Sequence, residues 1–162
     1  NGQVNLNLRD GTLRNALDRA SSSAAIGEDG AKLAIQRDPQ NEDIALFTDM
    51  DRLSQVFINL IAIASKYCDA KNPKLAIKVA RDVDRVVIDF HDNGLGISAE
   101  AAAMIFEKFA RVSDQKAGGA GLGLAICRQV MTRLGGSVDL VPTQFGTNFR
   151  VVLPYKLAMA AQ

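Results

Sequence analysis

The ten residues Ile88-Asp89-Phe90-His91-Asp92-Asn93-Gly94-Leu95-Gly96-Ile97 constrain this chain more than any other stretch. Apolar residues alternate through Ile88 and Phe90, which predicts a strand with one buried face. The strand then runs into Asp92 and two glycines, Gly94 and Gly96, separated by one residue. A carboxylate at a strand's end can be held half-buried and aimed at a donor on a ligand. Glycines carry no side chain, so another molecule can approach the backbone closely. Taken alone, an Asp-x-Gly-x-Gly turn fits a tight strand-to-helix connection as well as a nucleotide site.

The totals narrow the classes. A chain of 162 residues, 48% apolar and 23% charged, suits one globular domain with a substantial core. A net charge of +1 gives no reason to expect nucleic acid or an acidic membrane surface as partner. No apolar run approaches the ~20 residues that span a bilayer. The first residues are polar, so no signal peptide is expected, and the start at Asn1 suggests a fragment of a longer protein. Cys68 and Cys127 show no metal or redox spacing and read as reduced thiols of a cytoplasmic domain. His91 is the sole histidine, which excludes a multi-histidine metal site.

Residues 3–8 alternate and predict a short edge strand. Thr12 caps a helix to about Ala25, followed by strands at Ala31–Gln36 and Ile44–Phe47 around an Asp38–Asn41 turn. Asp49 or Asp51 caps the most regular helix. Its Leu53, Val56, Phe57, Leu60, Ile61 and Ala64 follow the spacing of a core face. A second stripe, Gln55, Asn59, Ile63, Lys66 and Tyr67, is polar or amphipathic except at Ile63. Leu75–Ala80 and Arg85–His91 predict a hairpin. Ser98 caps a short helix to about Met104, and Gly121–Leu134 forms another helix, stopped by Gly135-Gly136. Ser137–Val141 and Asn148–Leu153 close the chain as strands, and 157–162 are expected to be a disordered tail beyond a 1–156 domain. Hairpin connections are too short for crossovers. The fold class expected is α+β, a two-layer α/β sandwich with a mixed sheet of about five strands and helices on one face.

A second glycine cluster, Gly118-Gly119-Ala120-Gly121-Leu122-Gly123-Leu124, opens directly into a helix. Free amides and the positive dipole end there make a phosphate cradle, though a flexible loop entering a helix explains it equally well. It lacks the Gly-Lys-Ser/Thr of a Walker loop and does not follow a strand as the dinucleotide fingerprint does.

Four features occur in order: the Asn59 helix with Lys66-Tyr67, the Asp92 turn, Phe106-Glu107-Lys108-Phe109, and the glycines at 118–123. In that order and spacing the chain resembles the catalytic ATP-binding domain of sensor histidine kinases, within the GHKL ATPase superfamily. The likeness runs from about Leu6 to Pro154. Asp51 through Tyr67 is similar to the N box, His91–Ile97 to the G1 box, Ile105–Phe109 to the F box and Gly119–Leu124 to the G2 box.

The resemblance implies a Bergerat fold with ATP between the helices and a mobile lid. It makes Asp92 the acceptor for the adenine amino group, with Gly94 and Gly96 giving room to the base. It places Tyr67 and Ile97 as walls, Thr147 near the base and Lys66 at the phosphates. The backbone of Gly119, Gly121, Leu122, Gly123 and Leu124 would hold the phosphate chain, with Asn59 facing the triphosphate and Mg2+. Arg111 and Lys116 would neutralise the γ-phosphate, a role that a solvated loop charge competes with. His91 precedes the aspartate on a strand and reads as structural. The implied partners are a dimerisation and phosphoacceptor domain of the same parent protein, which can itself be membrane-anchored, and a response regulator.

One position departs from the pattern. The N box normally carries two asparagines a helical turn apart; here the second is Ile63. A branched apolar side chain cannot ligate a hard cation, which wants oxygen. Losing one hydrogen bond to a charged group costs about 1.5–3 kcal/mol. Magnesium binding is therefore doubtful unless Ile63 turns into the core and a neighbour supplies the ligand. Two readings remain: a working kinase domain, and a degenerate domain that binds nucleotide weakly or without metal and acts through protein contacts. A gyrase-, chaperone- or mismatch-repair-type ATPase would use an N-box glutamate where this chain has Asn59. An anti-sigma-factor kinase fits the long F box less well.

Overall fold

The computed structural model describes residues 5–25, 33–104 and 122–157. Strand β1 (Arg9–Thr12) leads into α1 (Leu13–Ala25), whose first turn is capped by Thr12 Oγ1 accepting from the Asn15 amide at 3.1 Å. Strands β2 (Ala34–Arg37) and β3 (Ala45–Thr48) flank a 3₁₀ turn at Pro39–Asn41. Helix α2 (Met50–Tyr67) follows, then β4 (Lys74–Arg81), β5 (Arg85–Asp92), α3 (Ala99–Met104), α4 (Leu122–Arg133), β6 (Ser137–Val141) and β7 (Asn148–Pro154).

Five strands form one mixed sheet in the order β2-β4-β5-β7-β6, with β2 parallel to β4 and the remaining pairs antiparallel. Burial alternates with period two along β5, so Val86, Ile88 and Phe90 face the helices. The register sets Ile77 opposite Phe90 and Phe90 opposite Phe149, a continuous apolar row across three strands. Onto it pack Leu13, Leu17, Phe57, Leu60, Leu124 and Met131 from α1, α2 and α4, with the Phe57 and Phe90 rings 5.4 Å apart. This is the expected two-layer sandwich.

Two expectations fail at the ends of the described chain. The edge strand predicted at residues 3–8 lies instead at Arg9–Thr12, and it pairs with β3 in a separate two-stranded sheet. Its sequence, Arg-Asp-Gly-Thr, has no apolar alternation; pairing with β3 makes it a strand. Leu157, assigned to the tail, donates its amide to Phe47 O at 2.9 Å, while Phe47 N donates to Tyr155 O at 2.8 Å. Residues 158–162 lie outside the described chain.

Among the described residues no helix is long and apolar enough to cross a membrane.

Candidate functional site

Strand β5 delivers Asp92 to the end of the sheet, 8% exposed. Its Oδ1 accepts the Gly94 amide at 2.9 Å and the Thr147 amide at 3.2 Å, and its own amide donates to Thr147 O at 2.9 Å. Burial raises the carboxyl's pKa above its usual 3.8, against the opposing pull of the two amides. The adjoining turn tolerates only glycine at two places. Gly96 (φ +98°) would put a Cβ 2.8 Å from Gly146 O, and Gly146 (φ +69°) would put one 1.8 Å from Asp92 O.

The loop between α2 and β4 holds this turn from the other side. Asp69 Oδ1 accepts the Leu95 amide at 2.9 Å. Asn93 Oδ1 accepts the Lys74 amide at 2.8 Å, and Asn93 Nδ2 donates to Asn72 O at 3.0 Å. Cys68 Sγ also donates to Asn93 Oδ1, at 3.3 Å. His91 takes the structural role read for it: its Nε2 lies 2.8 Å from Phe145 O, and its ring stacks on Phe145 at 4.7 Å. Asp69 and the Asn93 contacts escaped the sequence reading, because a loop's reach to a strand end has no periodic signature.

Asp92 borders a cavity of about 40 Å³ whose walls include Ile63, Tyr67, Gly96, Ile97 and Thr147. That volume holds roughly three waters, where a small-molecule site offers ~300 Å³ or more. Larger open grooves exist elsewhere, one of about 520 Å³ beyond the Gly96 turn and one of about 590 Å³ between α2 and α4. Neither contains the carboxylate, so the small cavity, not the largest, marks the site's floor. Six of the sequence-predicted residues thus converge: Tyr67, Asp92, Gly94, Gly96, Ile97 and Thr147.

The other predicted residues among those described do not line this cavity. Asp49 caps α2, its Oδ1 accepting the Arg52 amide at 3.1 Å and its Oδ2 the Asn7 amide at 2.9 Å. Farther along that helix, Asn59 Nδ2 donates to Cys127 Sγ at 3.6 Å, toward α4 rather than into the Asp92 cavity. Burial pushes the Cys127 thiol up to about 12. Lys66 is exposed, with Nζ 5.6 Å from the centre of the Tyr67 ring. Leu122 and Gly123 are the first two residues of α4, while the Leu124 side chain is fully buried in the core. Arg111, Lys116, Gly119, Gly121 and the Phe106–Phe109 motif lie outside the described residues.

Ile63 is 4% exposed and belongs both to the core and to the cavity wall beside Asp92. Among the described residues no three His, Cys, Asp or Glu side chains group to hold a metal. Ile63 offers no oxygen to a magnesium ion, and Asn59, with its Nδ2 on Cys127, keeps its side-chain oxygen as the one ligand this pair of positions could supply.

An α/β sandwich with a buried aspartate at a strand end, a double-glycine turn and a capped helix alongside matches an ATP-binding domain of the histidine kinase type. The family described as histidine kinase-, DNA gyrase B-, and HSP90-like ATPase matches residues 48–157, and the chain belongs to it. The sensor protein VanS of Enterococcus faecium is 36% identical over 116 residues, covering 70% of this chain and 30% of VanS. The sensor histidine kinase WalK of Bacillus subtilis is 32% identical over 126 residues, 74% of this chain and 20% of WalK. The chain therefore spans under a third of either relative. The catalytic domain of histidine kinase ThkA superposes with a TM-score of 0.76 at 24% identity, covering 93% of this chain and 97% of that one.

Proposed function

We propose that this domain binds ATP by its adenine and donates the γ-phosphoryl to a histidine on a dimerisation domain outside this sequence. The observation that carries the reading is the Asp92 carboxylate, fixed at the cavity by two backbone amides through one oxygen. Among the described residues no donor engages its second oxygen, which leaves an acceptor for an exocyclic amine. Thr147 and Ile97 stand at the same cavity, as base contacts should. The remaining role-bearing groups, Lys66, Arg111 and the amides of Gly119, Gly121, Leu122 and Gly123, would take the phosphates. In the transfer, the terminal P–O bond of ATP breaks, an imidazole nitrogen bonds to phosphorus, and ADP leaves. No side chain here needs to act as a nucleophile; the domain contributes position and charge. A response regulator would then receive the phosphoryl group.

Ile63 favours a second reading, a degenerate domain that holds the nucleotide without metal and acts through protein contacts. Calorimetric titration of ATP and ADP, with and without magnesium, on the wild type and on Ile63→Asn separates the two. The kinase reading expects magnesium-dependent ATP affinity in the wild type and phosphorylation of the parent's dimerisation domain added in trans. The degenerate reading expects magnesium to matter only after Ile63→Asn, by about tenfold. Absence of binding under every condition overturns both.

A further inference from the structure

Asp69 lies two residues beyond the end of α2 and lines the same cavity as Asp92. One of its oxygens is committed to the Leu95 amide at 2.9 Å. Asp92 likewise commits Oδ1 to backbone, to Gly94 and Thr147. Among the described residues, no donor and no cation engages the other oxygen of either carboxylate. The two carboxyl groups flank Gly94, where a Cβ would sit 3.0 Å from Asp69 Oδ1 and 3.3 Å from Asp92 Oδ1, and both line the one cavity. They also sense each other, since the Asp69 charge adds to the burial that raises the Asp92 pKa.

We infer that Asp69 is a specificity-determining residue of this site, pairing with Asp92 to select a 6-aminopurine over a 6-oxopurine. This rests on the adenine reading proposed above. An exocyclic amine carries two N–H groups, one for each carboxylate. A 6-oxo group has lone pairs in their place and would face two carboxylates that no described cation pairs with. A site built to accept hydrogen bonds from an N–H rejects the analogue that lacks it. Asp69 also fixes the backbone at Leu95, so it is a positioning residue as well as an acceptor.

The test is calorimetric titration of ADP and IDP without magnesium against the wild type, Asp69→Asn and Asp69→Ala. Asparagine keeps an oxygen for the Leu95 amide and replaces the free acceptor with a donor, which suits a 6-oxo group. The wild type should favour ADP by at least about tenfold, and Asp69→Asn should cut that ratio by about tenfold at an unchanged melting temperature. Asp69→Ala should narrow the ratio too while weakening both nucleotides, because the Leu95 amide loses its acceptor. A variant that folds, binds ADP and keeps the wild-type ratio overturns the role of Asp69 and leaves adenine binding standing. A wild type that binds neither nucleotide overturns the adenine reading and this inference with it.

Discussion

The two ends of the nucleotide cleft are built on opposite principles. At the base end, Asp92, Gly94, Leu95 and Asn93 are joined by hydrogen bonds to the Thr147 strand and to the loop beyond α2. Every one of these bonds fixes backbone, so the acceptor is set before any ligand arrives. At the N-box end the helix offers Ile63 to the cavity, and Asn59 spends its amide on a buried thiol. Under the proposed function, base recognition and metal recognition would rest on different elements, which meet at Ile63 in the wall of the Asp92 cavity. The first depends on a strand end and a turn, the second on side chains one helical turn apart.

The sharpest way to break the comparison is to disturb the turn itself. Gly146→Ala drives a Cβ to 1.8 Å from Asp92 O at a residue with φ +69°. A backbone atom cannot swing aside as a side chain can. Urea unfolding should show a loss of about 3–5 kcal/mol. A variant as stable as the wild type would mean that the base end is not rigid.

Ile63→Asn probes the other end. Ile63 is 4% exposed in the core, so the variant trades apolar burial for a buried amide. The expected destabilisation is about 2–4 kcal/mol by urea unfolding. Should the variant gain magnesium-dependent nucleotide affinity at that cost, stability and metal binding trade against each other at this one position. An unchanged stability would show that the cavity already solvates the site.

Asp92→Asn compares the ends through charge. Asparagine keeps an oxygen for the Gly94 and Thr147 amides but puts a donor where the proposed adenine contact needs an acceptor. Nucleotide affinity should fall about ten- to a hundredfold. The pH dependence follows from the raised folded-state pKa. The contribution of this carboxyl to stability is fully present below its ordinary 3.8 and is lost as pH rises through the higher folded value. Relative to Asp92→Asn, the wild type should therefore weaken across that window and hold constant above it. A gap in unfolding midpoints that does not change with pH there would sink the assignment of burial as the dominant influence on Asp92.

The sequence reading reached the base end better than the N-box end, for physical reasons. The alternation in β4 and β5 and the 3.6-residue spacing on α2 are local periodicities, and all three elements appear where those patterns place them. Asp92, Gly96 and Thr147 were grouped by the resemblance to the family's ordered boxes, since the turn alone fitted a plain strand-to-helix connection as well, and the three line one cavity. The bond between Asn59 and Cys127 spans 68 residues and depends on how α4 packs on α2. No spacing rule encodes it. Asp69 was invisible for the same reason, since its role exists only once the loop beyond α2 meets Leu95. β1 misled in the opposite direction: Val4, Leu6 and Leu8 alternate like a strand, yet the pairing falls on Arg9–Thr12.

The smallest expected effect is on thiol reactivity, and it reports directly on the N-box seam. Cys127 is fully buried and its pKa is pushed up to about 12, so at pH 8 only about one thiol in ten thousand is ionised. Cys68 is half-buried at the turn, with Sγ donating to Asn93. An aromatic disulfide reagent should therefore titrate one thiol quickly in the native protein, and the second only as α2 and α4 open. ADP without magnesium should slow Cys68, which touches the Asn93 end of the turn, and leave the Cys127 rate unchanged. Acceleration at Cys127 would mean that Asn59 leaves its sulfur partner to meet the nucleotide. The N-box end would then be an adaptable half of the site rather than an apolar wall, and the two ends would no longer be independent.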